Sequence, residues 1–378
     1  MALCAAELSR YQRHLALPEL GAAGQERLKS ARVLVVGAGG LGSPAALYLA
    51  AAGVGTLGLL DCDRVELSNL QRQLLFDSVD VGRPKTAAAR ERLLALNPEI
   101  AVRAHALTLC AENVLGTFQE YDLVLDGTDR LATRYLVNDA CVLLGKPLIA
   151  AAIHRFEGHA MTYLPGRSPC YRCLFPEAGE GVAASCTEAG VLGVLPGVLG
   201  AIQATEAIKV LTGIGEPLAG RLLTYDALEL RFLELPFTRR TDCAVCGEHP
   251  TITAPRDSGE ACDAATLRSI RRLSAAALRD LLASDPGRAP LLLIDVREPR
   301  EFAAQHLAGS RNVPLAQLEQ RLGELAGEGT PVFLCRSGRR SLSACALARR
   351  AGIAAPAHLE GGLLAWAAQV DPAFAVAG

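Results

Sequence analysis

Two pairs of cysteines have the spacing of metal ligands. They form C-Y-R-C at Cys170 and Cys173 and C-A-V-C at Cys243 and Cys246. Together they supply the thiolates of a structural zinc ion with tetrahedral geometry. Protein ligands then leave no position for water, so we expect this metal to fasten the end of its domain to the middle. Two redox-active pairs are the alternative, which we disfavour because we expect neither motif to follow a strand and open a helix.

Another cysteine is predicted to carry chemistry itself. Cys335 begins C-R-S-G-R-R-S, between the predicted strand P-V-F-L and a helix. Backbone N–H groups at a helix N-terminus and nearby positive charge lower a thiol pKa and stabilise a thiolate or a persulfide anion. The positive charge here comes from Arg336, Arg339 and Arg340. A cysteine phosphatase would use similar geometry, but its arginine follows the cysteine at the position where this chain has Ser341.

A glycine-rich segment is suited to binding phosphate. In R-V-L-V-V-G-A-G-G-L-G (residues 32–42), an apolar run typical of a buried parallel strand leads into glycines and a helix predicted to begin near Leu41. Glycine lets the backbone approach a polyphosphate closely, and the helix N-terminus offers unpaired N–H groups. NAD, FAD and ATP enzymes all use such a turn, so other residues must indicate the nucleotide.

Charged residues after the next strand narrow that choice. Asp61 and Asp63 end T-L-G-L-L-D-C-D, where a Rossmann fold presents a carboxylate to a ribose hydroxyl. Arg72 lies in S-N-L-Q-R-Q, and Lys85 opens a helix predicted to run to about Leu96. A triphosphate attacked at its α-phosphorus needs such cations, whereas hydride transfer does not. Taken singly, each cation has a surface charge as its alternative interpretation.

Acidic residues also follow the fourth predicted strand, in Y-D-L-V-L-D-G-T-D. Asp126 and Asp129 then lie at the carboxyl end of that strand, on the same edge of the sheet as the glycine turn. Carboxylates there can hold Mg²⁺ while the metal bridges phosphates. The alternative is that Thr128 or Asp129 caps the following helix.

Three residues outside these motifs have two interpretations each. Arg10 and Arg13 lie in a polar region predicted to be helical, and they either belong to an amphipathic helix or reach phosphates in a neighbouring subunit. Cys186 lies in a small-residue segment before an apolar helix predicted near 194–211. It is either a buried structural cysteine or a working thiol.

Composition limits the class of protein. The chain has 378 residues, a formal net charge of −2 and 50% hydrophobic residues. No apolar run is long enough for a membrane span, and neutral charge gives no reason to expect nucleic acid binding. The first residues lack a secretory pattern, so we interpret the 12 cysteines as a reduced set and expect a cytoplasmic protein.

The motifs must be positioned by two α/β domains. Strands alternate with helices up to K-P-L-I-A-A-A, and antiparallel segments are predicted from Gly158 onward. We therefore predict a Rossmann-like domain over 1–247 and a linker over 248–267, which is rich in Pro, Gly and charge. A smaller α/β domain over 268–378 follows.

The first domain resembles the MoeB/ThiF group of E1-like adenylyltransferases. The resemblance covers residues 7–247 and rests on G-A-G-G-L-G, S-N-L-Q-R-Q, Lys85, L-D-G-T-D, P-C-Y-R-C and C-A-V-C-G, in that order. It implies ATP-dependent activation of the C-terminal glycine of a small ubiquitin-like sulfur carrier protein ending in Gly-Gly. It implies a set of residues that bind Mg-ATP: Gly40, Asp61, Ser68, Asn69, Leu70, Gln71, Arg72, Lys85, Asp129 and Arg130.

The same resemblance implies further roles. Arg72, Lys85 and Asp129 would take part in catalysis, and Arg13 would reach the triphosphate from the other subunit of a homodimer. The four knuckle cysteines would bind structural zinc. Cys186 matches a thiol of the family whose necessity differs among its branches.

The second domain resembles a rhodanese. This resemblance rests on I-D-V-R-E-P-R-E-F, H-L-A-G-S-R-N-V-P, C-R-S-G-R-R-S and G-G-L-L-A-W. It implies that Cys335 carries a persulfide loaded by a sulfur donor, such as a cysteine desulfurase or thiosulfate. Asp295 and His306 are expected to stabilise the fold.

Joined in one chain, the two domains suggest a reaction sequence. The carrier is adenylated, and the Cys335 persulfide then attacks the acyl-adenylate to form an acyl disulfide. Cleavage of this disulfide by Cys186 yields the carrier thiocarboxylate. Two alternatives from other classes are an NAD(P)-dependent oxidoreductase with a fused redox module and a non-catalytic zinc-stabilised scaffold. Arg72, Lys85 and Asp129 argue against the first, because hydride transfer does not need them. Intact phosphate-binding residues and an intact Cys335 loop argue against the second.

Overall fold

The chain folds into two compact units, Met1–Ser258 and Gly259–Gly378. Their architecture is taken from a computed structural model. The residues that it describes are 2–176, 190–257, 270–283, 291–325 and 329–374. Within these ranges, no helix is long and apolar enough to cross a membrane.

The first unit is built on an eight-stranded sheet with the strand order β3-β2-β1-β4-β5-β6-β7-β8. Strands β1 to β5 pair in parallel, and β5 to β8 pair antiparallel. The strands are β1 Arg32–Val36, β2 Thr56–Leu60, β3 Ala101–His105, β4 Leu123–Asp126, β5 Leu148–His154, β6 Glu157–Tyr163, β7 Arg221–Asp226 and β8 Arg231–Pro236. The predicted change from parallel to antiparallel strands is confirmed.

Helices connect these strands. In the described residues they are α1 Ala5–Arg10, α2 Gln12–Leu15, α3 Gly21–Ser30, α4 Gly42–Ala52, α5 Lys85–Leu96, α6 Val114–Gln119, α7 Leu131–Leu144, α8 Tyr171–Leu174 and α9 Leu195–Thr212. The predicted helix over 85–96 has the predicted bounds, because Pro84 fixes its start and Asn97 leaves helical geometry at its end. Gly53, at φ 84°, ends α4 in the left-handed conformation that glycine tolerates.

The core of the first unit lies against the parallel part of the sheet. Val33, Leu34 and Val35 are fully buried because helices cover both faces of β1. Strand β8, by contrast, is exposed along its whole length at the sheet edge. The apolar run 33–36 was therefore a reliable signal for a central strand.

The second unit contains a five-stranded parallel sheet of order β11-β10-β12-β13-β9. Its strands are β9 Arg271–Leu273, β10 Leu291–Asp295, β11 Arg311–Asn312, β12 Thr330–Leu334 and β13 Ala357–Leu359. Its described helices are α10 Ala275–Ala283, α11 Pro299–Ala304, α12 Leu315–Leu325, α13 Arg339–Arg350 and α14 Gly362–Gln369. The predicted fold class, a Rossmann-like α/β domain followed by a smaller α/β domain, is confirmed.

Candidate functional site

The glycine turn lies where the strand order of the large sheet reverses. Strand β1 has β2 on one side and β4 on the other, so the crevice between their carboxyl ends is the ligand position of such a sheet. The backbones meet closely there: Gly37 N donates to Leu60 O at 2.8 Å, and Gly127 N donates to Val36 O at 2.9 Å. Space is so limited that a Cβ at Gly42 would lie 1.8 Å from Gly37 O. Only glycine permits this turn.

Asp61 holds the turn in place from the end of β2. One carboxylate oxygen accepts the N–H of Ala38 at 2.9 Å, and the other accepts the N–H of Asp63 at 2.8 Å. Burial raises the pKa of Asp61, while Lys85 opposes that shift. The residue predicted to bind a ribose therefore also shapes the phosphate-binding loop.

Lys85 reaches the same acidic pair from the start of α5. Its Nζ lies 3.2 Å from a carboxylate oxygen of Asp63 and 3.8 Å from one of Asp61. The side chain is buried, at 6% exposure. Surface charge, the alternative interpretation of Lys85, is thus wrong. The ammonium group lies beside the carboxylate that holds the glycine turn.

The S-N-L-Q-R-Q segment also lies beside the turn. Arg72 donates to Ser68 O at 3.0 Å, and a Cβ at Gly40 would lie 3.7 Å from its Cδ. Gln73, which the sequence analysis did not select, is buried, and Gly39 faces its amide group. The structure thus brings Arg72 next to Gly40. Of the neighbouring predicted residues, Asn69 is buried and Leu70 half-buried, whereas Ser68 and Gln71 are exposed.

A turn after β4 presents Asp129 and Arg130, both exposed. Asp126 is buried, and it accepts hydrogen bonds from the N–H and the hydroxyl of Thr128 at 2.9 and 2.7 Å. Burial raises the pKa of Asp126, and the nearby Arg134 opposes the shift. Helix α7 has Arg130 at its N-cap with no side-chain cap. Capping by Thr128 or Asp129, the alternative interpretation, is therefore wrong.

Arg134 is the residue that sequence reasoning missed in this loop. It is buried, and its guanidinium donates to Ala151 O at 2.6 Å and to Thr128 O. It also lies 3.9 Å from Asp126. Its position was the available sequence signal. Arg134 lies four residues after Arg130, in the first turn of α7, and a long side chain there points back toward the start of the helix. Arg134 fixes the backbone that presents Asp129.

Arg13 lies away from the glycine turn of its own chain. It is exposed on α2, where the adjacent His14 hydrogen-bonds Gln25 at 2.9 Å. The Gln25 amide donates to the carbonyl of Ala52, the last residue of α4, at 2.8 Å. Helix α4 begins at Gly42 and is about 16 Å long. Arg13 therefore lies near the end of α4 opposite the turn. Arg10, which donates to Leu96 O at 3.0 Å, is tied to its own chain.

The four knuckle cysteines form one buried cluster. Their sulfurs all lie within 4.8 Å of one another, with Cys170 and Cys243 at 3.7 Å and Cys173 and Cys246 at 3.4 Å. Tetrahedral zinc with Zn–S bonds of about 2.3 Å separates its sulfurs by about 3.8 Å. The donor set and spacing therefore fit a tetrahedral metal ion such as zinc.

Electrostatics support the same conclusion. Hydrogen bonding to Cys173, and then to Cys243 and Cys246, raises the pKa of Cys170, because the crowded sulfurs share protons and resist joint ionisation. A divalent cation allows all of them to be thiolates. Arg240 N donates to Cys173 Sγ at 3.5 Å, which restrains one ligand from outside the cluster.

The positions of the knuckle cysteines bear on the redox alternative. One cluster, rather than two separate pairs, disfavours the redox alternative. Cys170 is the N-cap of the single turn α8, but the preceding strand β6 ends at Tyr163, so this motif does not directly follow a strand. That turn is fixed to α7, since Tyr171 N donates to the side chain of Asn138 at 2.8 Å. Arg172 forms a bidentate pair with Asp139 beside it.

In the second unit, Cys335 lies between β12 and α13 as predicted. Its Sγ accepts the N–H groups of Gly338 at 3.1 Å and Ser341 at 3.3 Å. Gly338, at φ 90°, allows the loop to fold around the sulfur. The cysteine is 1% exposed. Backbone donors thus cradle the sulfur, as an anion requires.

The loop around Cys335 is braced from outside. A Cβ at Gly362 would lie 2.4 Å from the carbonyl oxygens of both Cys335 and Arg336. Arg340 forms a bidentate pair with Glu301 of α11, at 2.6 and 2.8 Å. Its charge is therefore shared with a carboxylate, so the expectation that Arg340 adds positive charge to the loop holds only in part. Burial alone would raise the pKa of Glu301, but the hydrogen bonds from Arg340 hold that pKa below its ordinary value.

Asp295 and His306 make structural contacts. Asp295 is fully buried and forms a bidentate pair with Arg297. His306 stacks on Phe302 with ring centroids 4.0 Å apart. Cys186 lies outside the described residues, so its two interpretations stay open.

Family comparisons match both units. The sequence model of the ThiF family matches residues 11–245, and that of the rhodanese-like domain matches residues 274–369. A protein of Mycobacterium tuberculosis named as a probable adenylyltransferase/sulfurtransferase MoeZ is 46% identical over 98% of this chain and 95% of its own length. The maize adenylyltransferase and sulfurtransferase MOCS3-2 is 43% identical over 97% of this chain and 80% of its own.

Two further similarities concern the first unit. A sulfur carrier protein adenylyltransferase of Thermus thermophilus is 55% identical over 65% of this chain and 93% of its own length. Among solved structures, Escherichia coli MccB with ATP is 28% identical, with a TM-score of 0.56, over 64% of this chain and 75% of that one.

Proposed function

Because this chain belongs to the ThiF family and continues into a rhodanese-like domain, we propose that it adenylates the C-terminal glycine of a small sulfur carrier protein and then converts that terminus to a thiocarboxylate. Its nearly full-length relatives are adenylyltransferases and sulfurtransferases, and this chain is an enzyme of that class. One observation carries the proposal: a glycine turn at the nucleotide position of one sheet and a cradled Cys335 occur in the same chain.

The first step is proposed to occur at the glycine turn. A carboxylate oxygen of the carrier attacks the α-phosphorus of ATP, and the bond from that phosphorus to the oxygen bridging to the β-phosphate breaks. Pyrophosphate departs, and the product is an acyl-adenylate. Arg72, beside Gly40, and Lys85, beside Asp61, stabilise the charge that develops on the phosphates.

Metal ions complete this unit. Asp129, exposed on the turn after β4, is the proposed holder of Mg²⁺, which neutralises charge on the phosphates. The buried sulfur cluster is proposed to hold zinc, which fixes the segment of Cys243 and Cys246 to that of Cys170 and Cys173. In this structural role the zinc ion needs no open coordination position for water or substrate.

The carrier is proposed to lie over the antiparallel part of the sheet. Ala150 of β5 pairs with Asp126, and β5 then continues to Ile153 and His154. These two residues line a cavity of about 450 Å³. A carrier tail lying across this cavity would reach the turn of Asp129 with its terminal glycine. Burial lowers the pKa of His159, at the cavity wall, to about 4, so this histidine stays neutral at pH 7.

A homodimer is proposed to complete the adenylation site. Arg13 is exposed and lies near the end of α4 opposite the glycine turn. We therefore propose that it serves the triphosphate of the other subunit. Among the described cysteines all ten are free, which favours a reducing compartment such as the cytoplasm.

The second step is proposed to use Cys335. Its thiolate attacks the outer sulfur of a donor, such as thiosulfate or a cysteine desulfurase persulfide, and sulfite or the donor thiolate leaves. The outer sulfur of the new persulfide attacks the acyl carbon, and AMP leaves. A thiolate, which we assign to Cys186, attacks Cys335 Sγ, releases the thiocarboxylate and forms a disulfide that a cellular dithiol reduces.

Two measurements on one variant test this proposal. Cys335→Ala should retain carrier-dependent exchange of pyrophosphate into ATP and lose formation of the carrier thiocarboxylate, followed by mass spectrometry. Cys345→Ala, which removes another buried cysteine of the same unit, is the matched control and should retain both. Thiocarboxylate formation by Cys335→Ala would refute the sulfur step. Absence of exchange with every Gly-Gly carrier offered would refute the adenylation step.

A further inference from the structure

A histidine lies directly behind the cradle of Cys335. His358, on β13, is 4% exposed, and its Nδ1 lies 3.4 Å from the hydroxyl oxygen of Ser341. Ser341 is fully buried, and that oxygen lies 3.4 Å from Cys335 Sγ. The three side chains form a continuous path from the reactive sulfur to a buried imidazole.

We propose that His358 is a positioning residue that directs the hydroxyl hydrogen of Ser341 to the sulfur of Cys335 when that sulfur is an anion. This inference rests on the proposed role of Cys335 as the residue that carries sulfur. As a thiol, Cys335 donates to Ser341, whose hydroxyl donates onward to Gly338 O at 3.1 Å. As an anion, the sulfur can only accept, so it gains a third donor only if the hydroxyl turns from Gly338 O toward it.

The imidazole makes that turn favourable. With an N–H at Nδ1, His358 donates to a lone pair of Ser341 Oγ and leaves the single hydroxyl hydrogen for the sulfur. The sulfur anion then has three donors: two backbone N–H groups and one hydroxyl. Without His358 the hydroxyl remains on Gly338 O, and the anion keeps only its backbone donors.

Burial determines the charge and the tautomer of His358. Burial lowers its pKa, and Arg272 on β9 acts in the same direction, while Glu360 after β13 opposes them. Arg272 and Glu360 are themselves paired at 3.4 Å. The imidazole is therefore neutral at pH 7. In the described part of the chain the Nε2 of His358 has no hydrogen-bond partner, whereas its Nδ1 has the hydroxyl of Ser341. The single N–H hydrogen of the neutral imidazole is therefore assigned to Nδ1.

The test compares two substitutions of His358 in the full-length protein. His358→Leu removes the donor, whereas His358→Asn places an amide N–H at the position of Nδ1–H. The rate at which iodoacetamide alkylates Cys335 is measured by mass spectrometry from pH 5 to 10. In His358→Leu and Ser341→Ala the alkylation profile should move up by about one pH unit, which is a tenfold change in the acid dissociation constant of the thiol. His358→Asn should follow the unsubstituted protein.

Thermal unfolding of each variant separates positioning from loss of structure. Coincident profiles for His358→Leu and the unsubstituted protein would overturn the inference, as would equal shifts for His358→Leu and His358→Asn. Thiocyanate formation from thiosulfate and cyanide, measured with Cys335→Ala, tests the underlying function separately. Activity in that variant would refute the role of Cys335 while the alkylation profile still decides the role of His358.

Discussion

Replacing Gly42 by alanine should disable the adenylation site without unfolding the protein. The added Cβ would lie 1.8 Å from Gly37 O, where ordinary contacts begin at about 3.4 Å. The two backbones must therefore separate by about 1.6 Å, and both belong to the turn proposed to hold the triphosphate. A misplacement of about 1 Å at a reacting centre can lower the rate by about a hundredfold. We expect kcat/KM for ATP to fall by at least that factor.

Gly116→Ala is the matched control for this substitution. Gly116 lies on α6, is exposed, and would have no atom within 4 Å of an added Cβ. Alanine stabilises a helix interior by about 1 kcal/mol relative to glycine. This variant should therefore unfold at a slightly higher temperature and retain full activity.

The assay is carrier-dependent exchange of pyrophosphate into ATP, with thermal unfolding measured on the same samples. The structural argument predicts a large loss of exchange by Gly42→Ala and retained thiocyanate formation by Cys335 in the other unit. Exchange within threefold of the unsubstituted protein would show that the turn does not bind the triphosphate. Loss of both activities with a collapsed melting curve would show that Gly42 serves folding instead.

Two further predictions concern the first unit. Homodimers of Arg13→Ala and of Arg72→Ala should each lack exchange activity. Mixing the two variants should restore up to a quarter of the unsubstituted activity, because half of the dimers are then mixed and each mixed dimer has one intact site out of two. Mixtures that stay inactive would contradict the supply of Arg13 by the partner subunit. Removal of metal by a chelator should release about one zinc per chain and lower the temperature at which the first unit unfolds. The substitution Cys62→Ser, at an exposed cysteine outside the cluster, should change neither the zinc content nor that temperature. Metal analysis and calorimetry check this, and an unchanged melting temperature after zinc loss would contradict it.

Local sequence patterns identified most of the elements that carry the site. The run 33–36 became a buried strand, Lys85 opened α5, and Cys335 followed a strand and preceded a helix. These features depend on neighbours in the chain, such as the Pro before Lys85. Interpretations that depended on one residue's contacts were less reliable: Asp129 does not cap α7, and Lys85 is buried rather than a surface charge.

By itself, the sequence determined which side chains were available for chemistry: the thiols, the phosphate-binding glycines, and the cations and acids after successive strands. Only the tertiary structure decided which of them meet. It brought together sulfurs 73 residues apart in sequence, placed Lys85 on the carboxylate that holds the glycine turn, and set His358 behind Ser341. Such contacts join segments far apart in the chain, and their geometry depends on the register and packing of whole strands and helices, which no local pattern specifies.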